Sequence, residues 1–220
     1  MAQIVLVYGK SGSGKSRSLK EFASDEILLV NVEGKALPFR GGFKYVLESD
    51  DIERIKIWLK KMPMKTAVID DAGYLITNQF MRGHSGGKKG SAVYDLYNDL
   101  ADNFWGLFKF IKNDLPRDVI VYVMMHEDTA DSGATRLKTI GKLLDDKVCL
   151  EGMVTVCLRC MSSNGKHYFR TQTDGLDISK SPEEMFGDIE IENNLKLVDT
   201  AIRSYYDFTD SKEDTENESN

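Results

Sequence analysis

No apolar run in this chain of 220 residues approaches the ~20 residues needed to cross a bilayer, which excludes a membrane-spanning helix. The opening Met1-Ala2-Gln3 has no basic stretch and leads straight into a short apolar run, so no signal peptide is expected. Internal repeats are absent, and nothing argues for a second domain. Cysteine is scarce and odd in number: Cys149, Cys157 and Cys160. The last two fall within the strand-like run 153–161, where alternation places them on opposite faces. That arrangement suits neither a zinc site nor a redox turn, so reduced thiols and a cytoplasmic setting are expected.

With 41% hydrophobic and 29% charged residues, the chain is expected to be an ordinary soluble globular protein, long enough for one well-buried α/β domain. Its net charge of −6 is unevenly placed. Residues 207–220 hold six acidic side chains and one lysine, a local −5, so residues 1–206 carry only −6 − (−5) = −1. A near-neutral core over 1–206 with a disordered acidic tail over 207–220 is the expected organisation.

Apolar, β-branched runs recur at Ile4–Tyr8, Ile27–Val32, Ala67–Asp70 and Val119–Met125, and read as buried parallel strands. Between the second and third, Ile52, Ile55, Leu59 and Met62 make one helical stripe over 50–62. Asp50 and Glu53 form a capping-box-like start, and Pro63 is the stop. Between the third and fourth, Val93, Tyr97, Leu100, Phe104, Leu107 and Ile111 repeat at helical spacing over 92–113. Two further runs, 153–161 and 167–173, flank an Asn164-Gly165 turn signal and predict an antiparallel hairpin. A last helix is expected over 192–206. The fold class is therefore α/β: a mostly parallel sheet flanked by helices, with a C-terminal β-hairpin extension.

At the end of the first strand stands Gly9-Lys10-Ser11-Gly12-Ser13-Gly14-Lys15-Ser16, matching G-x-x-x-x-G-K-[ST] without a mismatch. Glycines here let successive N–H groups turn inward on an anion, and a helix-compatible segment over 17–22 follows. Lys15 is expected to reach the terminal phosphates and Ser16 to ligate Mg²⁺, with Arg17 closing the loop. The pattern predicts binding of a nucleoside triphosphate such as ATP.

Three more strand ends carry polar groups, on the side where an open parallel sheet presents its ligands. Asp70, closing Val68-Ile69-Asp70, is the expected second support of Mg²⁺. Glu33 is preferred to Asp71 as the group that polarises the attacking water, on the reading that its strand neighbours the phosphate-loop strand. His126 fits a group that senses the terminal phosphate. The stretch 77–92 holds Arg82, Lys88 and Lys89 and no acid; it is read as a basic loop that follows a phosphate backbone, with Phe80 and Met81 free to stack on bases. The stretch 127–143 carries Arg136, Lys138 and Lys142 and is read as a second DNA contact or the source of a cation for a neighbouring subunit.

Taken in order, Gly9 to Ser16, Val32-Glu33-Gly34, Val68-Ile69-Asp70-Asp71 and Met125-His126-Glu127 resemble the phage-type AAA-like ATPases with a minimal RecA core, which include core-only single-strand annealing recombinases. The resemblance covers about residues 4–174. It implies a RecA-like P-loop fold, Mg-ATP hydrolysis, binding of single-stranded DNA, cooperation with single-strand-binding protein, and homo-oligomers. It also implies a glutamate base at the Glu33 position and DNA contacts in the two basic stretches. Because the first strand starts almost at Met1, the polymerisation segment of full-length recombinases has no counterpart, and annealing is expected rather than invasion. A nucleotide or small-molecule kinase shares the phosphate loop, but Arg136 is the sole arginine in the segment after His126. A nucleotide-dependent loader, using the acidic tail as a docking peptide, is the third reading.

Overall fold

The computed structural model describes residues 1–84, 91–140 and 148–208. Nine strands form one sheet: β1 (Gln3–Gly9), β2 (Ile27–Asn31), β3 (Tyr45–Leu47), β4 (Thr66–Asp70), β5 (Ile120–Thr129), β6 (Thr135–Leu137), β7 (Val156–Ser163), β8 (Lys166–Arg170) and β9 (Glu190–Glu192). Their spatial order is β3-β2-β4-β5-β1-β7-β8-β9, with β6 paired to the far end of β5. From β3 to β7 every pairing is parallel; β6, β8 and β9 pair antiparallel. The sheet is thus mixed and mostly parallel, as the apolar runs predict. Both faces of its centre are covered, which is why β1, β2, β4 and β5 read as continuous apolar segments rather than alternating ones.

One face packs α1 (Ile52–Lys61), α2 (Gly73–His84) and α3 (Ser91–Asp114), through side chains such as Ile55, Leu75, Leu100 and Phe104. The other face is covered by α4 (Leu195–Tyr205), through Leu195, Val198 and Ile202, and by Leu19 and Phe22 beside the loop after β1. Cys157 belongs to the first core and Cys160 to the second, so the two thiols do lie on opposite faces. Burial pushes both thiols up, Cys160 to about 11.

Several local expectations need correction. The cap of α1 is Asp51, which accepts from the N–H groups of Glu53 and Arg54, not Asp50. Most of the basic stretch from Thr77 is not a loop: through His84 it is the latter part of α2, while Lys88 and Lys89 lie outside the described residues. The segment after His126 is likewise a β-hairpin, because β5 continues to Thr129 and folds back onto β6; Lys142 lies outside the described residues. At the C-terminus, Phe208 is buried and stacks on Tyr206 at 5.6 Å, so the core reaches past residue 206. The rest of the acidic tail, 209–220, lies outside the described residues. No helix among the described residues is long and apolar enough to cross a membrane.

Candidate functional site

The C-terminal end of β1 delivers Gly9 into the loop that carries the G-x-x-x-x-G-K-[ST] pattern. Gly12 and Gly14 hold φ of +76° and +108°, backbone that side-chain-bearing residues rarely adopt. After the loop comes only a 3₁₀ turn, Ser16–Leu19, instead of an extended α-helix. The connection then runs through turns until β2 starts at Ile27. A turn this short adds little helix-dipole attraction for an anion, so the cation and the loop amides must supply the attraction.

The β7–β8 hairpin braces this loop, which no local signal in the sequence announces. A Cβ on Gly9 would lie 2.3 Å from the Cys160 carbonyl oxygen. The Ser13 carbonyl accepts from His167 Nδ1 at 2.7 Å and from the Cys160 thiol at 3.2 Å. Asn193 donates to Cys160 Sγ at 3.3 Å and accepts from Arg17 Nη1 at 3.4 Å. Against this wall opens a cleft of about 330 Å³, which also takes in Lys15, Ser16, Lys35, Asp70, Asp71 and His126.

Lys15 is only 6% exposed, and its ammonium donates to the carbonyls of Gly9 at 3.0 Å and Lys10 at 3.1 Å. Burial pushes its pKa down while Cys160, Asp71 and Asp70 pull it the other way. Ser16 Oγ donates to Asp70 Oδ2 at 2.7 Å. The other oxygen of Asp70 is buried and has no hydrogen-bond partner, and the same holds for Ser13 Oγ. Burial raises the Asp70 pKa despite the Ser16 bond. A buried, half-satisfied carboxylate beside a serine hydroxyl is an oxygen-only donor pair with room for a hard cation, so the residues fit the expected Mg²⁺. No cluster of three or more His, Cys, Asp or Glu among the described residues could hold a metal by itself. Ser16 and Asp70 would therefore hold an ion only together with donors from outside the pair.

Asp71 sits in left-handed backbone, φ +59°, fixed where the Ala72 N–H donates to the Met124 carbonyl of β5 at 2.8 Å. Its carboxylate meets His126 Nε2 at 3.2 Å and Lys35 Nζ at 2.6 Å. Burial pushes the Asp71 pKa up, but the bonds from His126 and Lys35 prevail and hold it down at about 2. His126 reaches this position because β5 lies between β1 and β4, so its end faces both the loop and the Asp70-Asp71 pair.

Glu33 is placed differently. Its strand, β2, is separated from β1 by β4 and β5, contrary to the neighbouring position read from the sequence. Glu33 does not line the cleft, and its Oε1 accepts from Asn78 on α2 at 2.8 Å. Asn78 also donates to Asp50, which binds Arg82 at 2.6 Å. Arg82 is thereby neutralised on α2, and Arg136 is paired with Asp128 at 3.2 Å. Phe80 packs its ring against Tyr97, 5.6 Å between centroids, and is no free base-stacking wedge; Met81 is exposed. Lys138 is exposed and makes no ion pair among the described residues. Its N–H donates to the His126 carbonyl at 2.8 Å, and with Tyr74, Thr77 and His126 it lines a second, smaller cleft beside the first.

No family model matches the chain, and no curated protein gives a significant match.

Proposed function

We propose that the chain is a Mg²⁺-dependent P-loop ATPase with a RecA-like core, whose turnover is coupled to single-stranded DNA in strand annealing or replication. One observation carries the reading. Lys15, Ser16 and Asp70 converge at the carboxyl end of a parallel sheet, with Asp70 Oδ1 and Ser13 Oγ buried and unpartnered beside a loop whose glycines hold positive φ. Such orphaned oxygens are costly unless a ligand or ion satisfies them.

In this reading Lys15 leaves the Gly9 and Lys10 carbonyls for the phosphates, and the loop amides of residues 11–16 surround the polyphosphate. Ser16 and Asp70 would hold Mg²⁺, which would supply charge neutralisation to the bound phosphates. Asp71, ionised and inside the cleft, orients the water; Glu33 is too far displaced onto α2 to be preferred. His126 links the cleft to Lys138, which favours Lys138 over Arg82 as the contact for a nucleic-acid phosphate. Single-strand-binding protein as a partner, and self-assembly, follow from the resemblance alone.

The test is ATP turnover with and without single-stranded DNA, in the wild type and in Lys15→Ala. Stimulation by DNA that vanishes in the variant supports the proposal. Turnover that requires a small phosphoacceptor points to a kinase instead, and undiminished turnover in Lys15→Ala refutes the assignment of the loop.

A further inference from the structure

Lys35 has no place in the motif, yet the fold aims it into the cleft. Residue 35 is clamped by Asn31, a buried side chain at the end of β2: Asn31 Nδ2 donates to the Lys35 carbonyl at 2.8 Å, and the Lys35 N–H donates back to Asn31 Oδ1 at 3.2 Å. Asn31 is itself in register with Asp70 on β4. The backbone of Lys35 is thus fixed relative to the carboxylate pair, and only its side chain is free to choose a partner. That side chain is 56% exposed, reaches Asp71 at 2.6 Å and lies 5.1 Å from the centre of the Tyr74 ring.

The charge pattern of the cleft gives this lysine a task. Lys15 lies in the loop, and the same cleft takes in the carboxylates of Asp70 and Asp71, which would repel a phosphate that no cation neutralises. In the reading above Asp71 orients water onto the terminal phosphate of a triphosphate, a group that a diphosphate lacks, and the ammonium of Lys35 already sits on Asp71.

We propose that Lys35 discriminates triphosphate from diphosphate, its ammonium passing from Asp71 to the terminal phosphate and so releasing a carboxylate oxygen of Asp71 towards the attacking water. The inference rests on the nucleotide-binding reading above, and goes beyond it by naming the residue that senses the third phosphate. Rotation about the lysine stem suffices, since the Asn31 clamp holds the backbone still. Lys35 is half-exposed, so its ammonium can leave without being buried, and His126 remains on the Asp71 carboxylate. A charge-assisted contact to phosphate replaces the lysine's pair with Asp71.

The test is equilibrium binding of ATPγS and of ADP, each with Mg²⁺, to the full chain by titration calorimetry. Lys35→Ala is expected to weaken ATPγS about tenfold or more and ADP less than about twofold, the loss of one charge-assisted hydrogen bond confined to the longer ligand. Lys35→Arg should recover most of the ATPγS affinity. Asp71→Asn should tighten ATPγS, because it frees the lysine and removes a repelling charge. A Lys35→Ala variant that weakens both nucleotides equally, or neither, overturns the assignment while leaving nucleotide binding intact. Failure of the wild type to bind either nucleotide overturns the underlying reading and the inference together. Melting temperatures separate a binding effect from misfolding: the Lys35 variants, at a half-exposed position, are expected to stay close to the wild type, while Asp71→Asn is expected to melt lower because it loses the His126 and Lys35 contacts.

Discussion

Replacing three glycines one at a time by alanine separates steric clash, backbone strain and indifference. At Gly9 the new methyl would sit 2.3 Å from the Cys160 carbonyl oxygen and 2.7 Å from Ser13 Oγ. The serine can rotate away, but the carbonyl belongs to β7, which is paired to both β1 and β8. The two strands must move apart, an overpacking cost of about 1–3 kcal/mol. At about 2–4 °C per kcal/mol for a chain of this size, Gly9→Ala should melt about 2–12 °C below the wild type. At Gly12 a methyl meets nothing within 4 Å, but the φ of +76° imposes left-handed strain. That costs about 1–2 kcal/mol, or about 2–8 °C. At Gly42 nothing lies within 4 Å and φ is not positive, so the change should be within about 0.5 kcal/mol of neutral. Thermal unfolding by circular dichroism reads all three, and nucleotide titration on the same samples should show affinity lost in Gly9→Ala and Gly12→Ala and kept in Gly42→Ala. A Gly9→Ala protein that melts within about 1 °C of the wild type would refute the packing of the loop on β7.

Three other outcomes are expected. The Asp199 carboxylate accepts from buried Tyr122 at 3.0 Å, Thr66 at 3.1 Å and Arg203 at 2.6 Å. Asp199→Ala should therefore cost more in urea unfolding, about 3 kcal/mol, by removing the carboxylate that Arg203, Tyr122 and Thr66 share, against about 1 kcal/mol for Tyr122→Phe; equal losses would contradict the network. Asp71 has its folded pKa depressed from 3.8 to about 2, so its stabilisation is complete above pH 3.8 and is lost as pH falls through about 2. The stability difference between wild type and Asp71→Asn should shrink over that interval, and a difference that stays constant from pH 5 to about 2 counts against the Lys35 and His126 contacts. In single-stranded DNA binding, Lys138→Ala should lower the salt slope by about one unit, and neutralising Arg82, Lys88 and Lys89 together should flatten it further; slopes that do not change would remove these groups from the DNA path.

What the sequence disclosed and what it hid divide along physical lines. Strands buried on both faces announce themselves as β-branched apolar runs, so β1, β2, β4 and β5 were readable, and with them Lys15, Ser16, Asp70, Asp71 and His126 at their ends. The Asn164-Gly165 turn, both residues at positive φ, marked the β7–β8 hairpin. Helix α2 was hidden because Gly73, Thr77, Asn78 and Gly83 are weak helix formers; it is held by Leu75 and Ile76 in the core, which is tertiary stabilisation rather than propensity. The short strands β3, β6 and β9, three residues each, are too brief for a periodic signal. Sheet order is a long-range property, and this is why Glu33 was expected beside the loop and is found with two strands, β4 and β5, in between. Lys35 and His167 carried no local pattern, since each is brought to the cleft by partners distant in sequence or by the turn after β2, where Asn31 clamps the Lys35 backbone.

The most direct measurement is a crystal structure of the chain with Mg²⁺ and a non-hydrolysable ATP analogue. The account predicts the triphosphate wrapped by residues 11–16, Lys15 turned from the Gly9 and Lys10 carbonyls onto phosphate, and Mg²⁺ shared by Ser16 and Asp70. A triphosphate seated elsewhere, or one bound with Lys15 still on those carbonyls and Asp70 without metal, would contradict it.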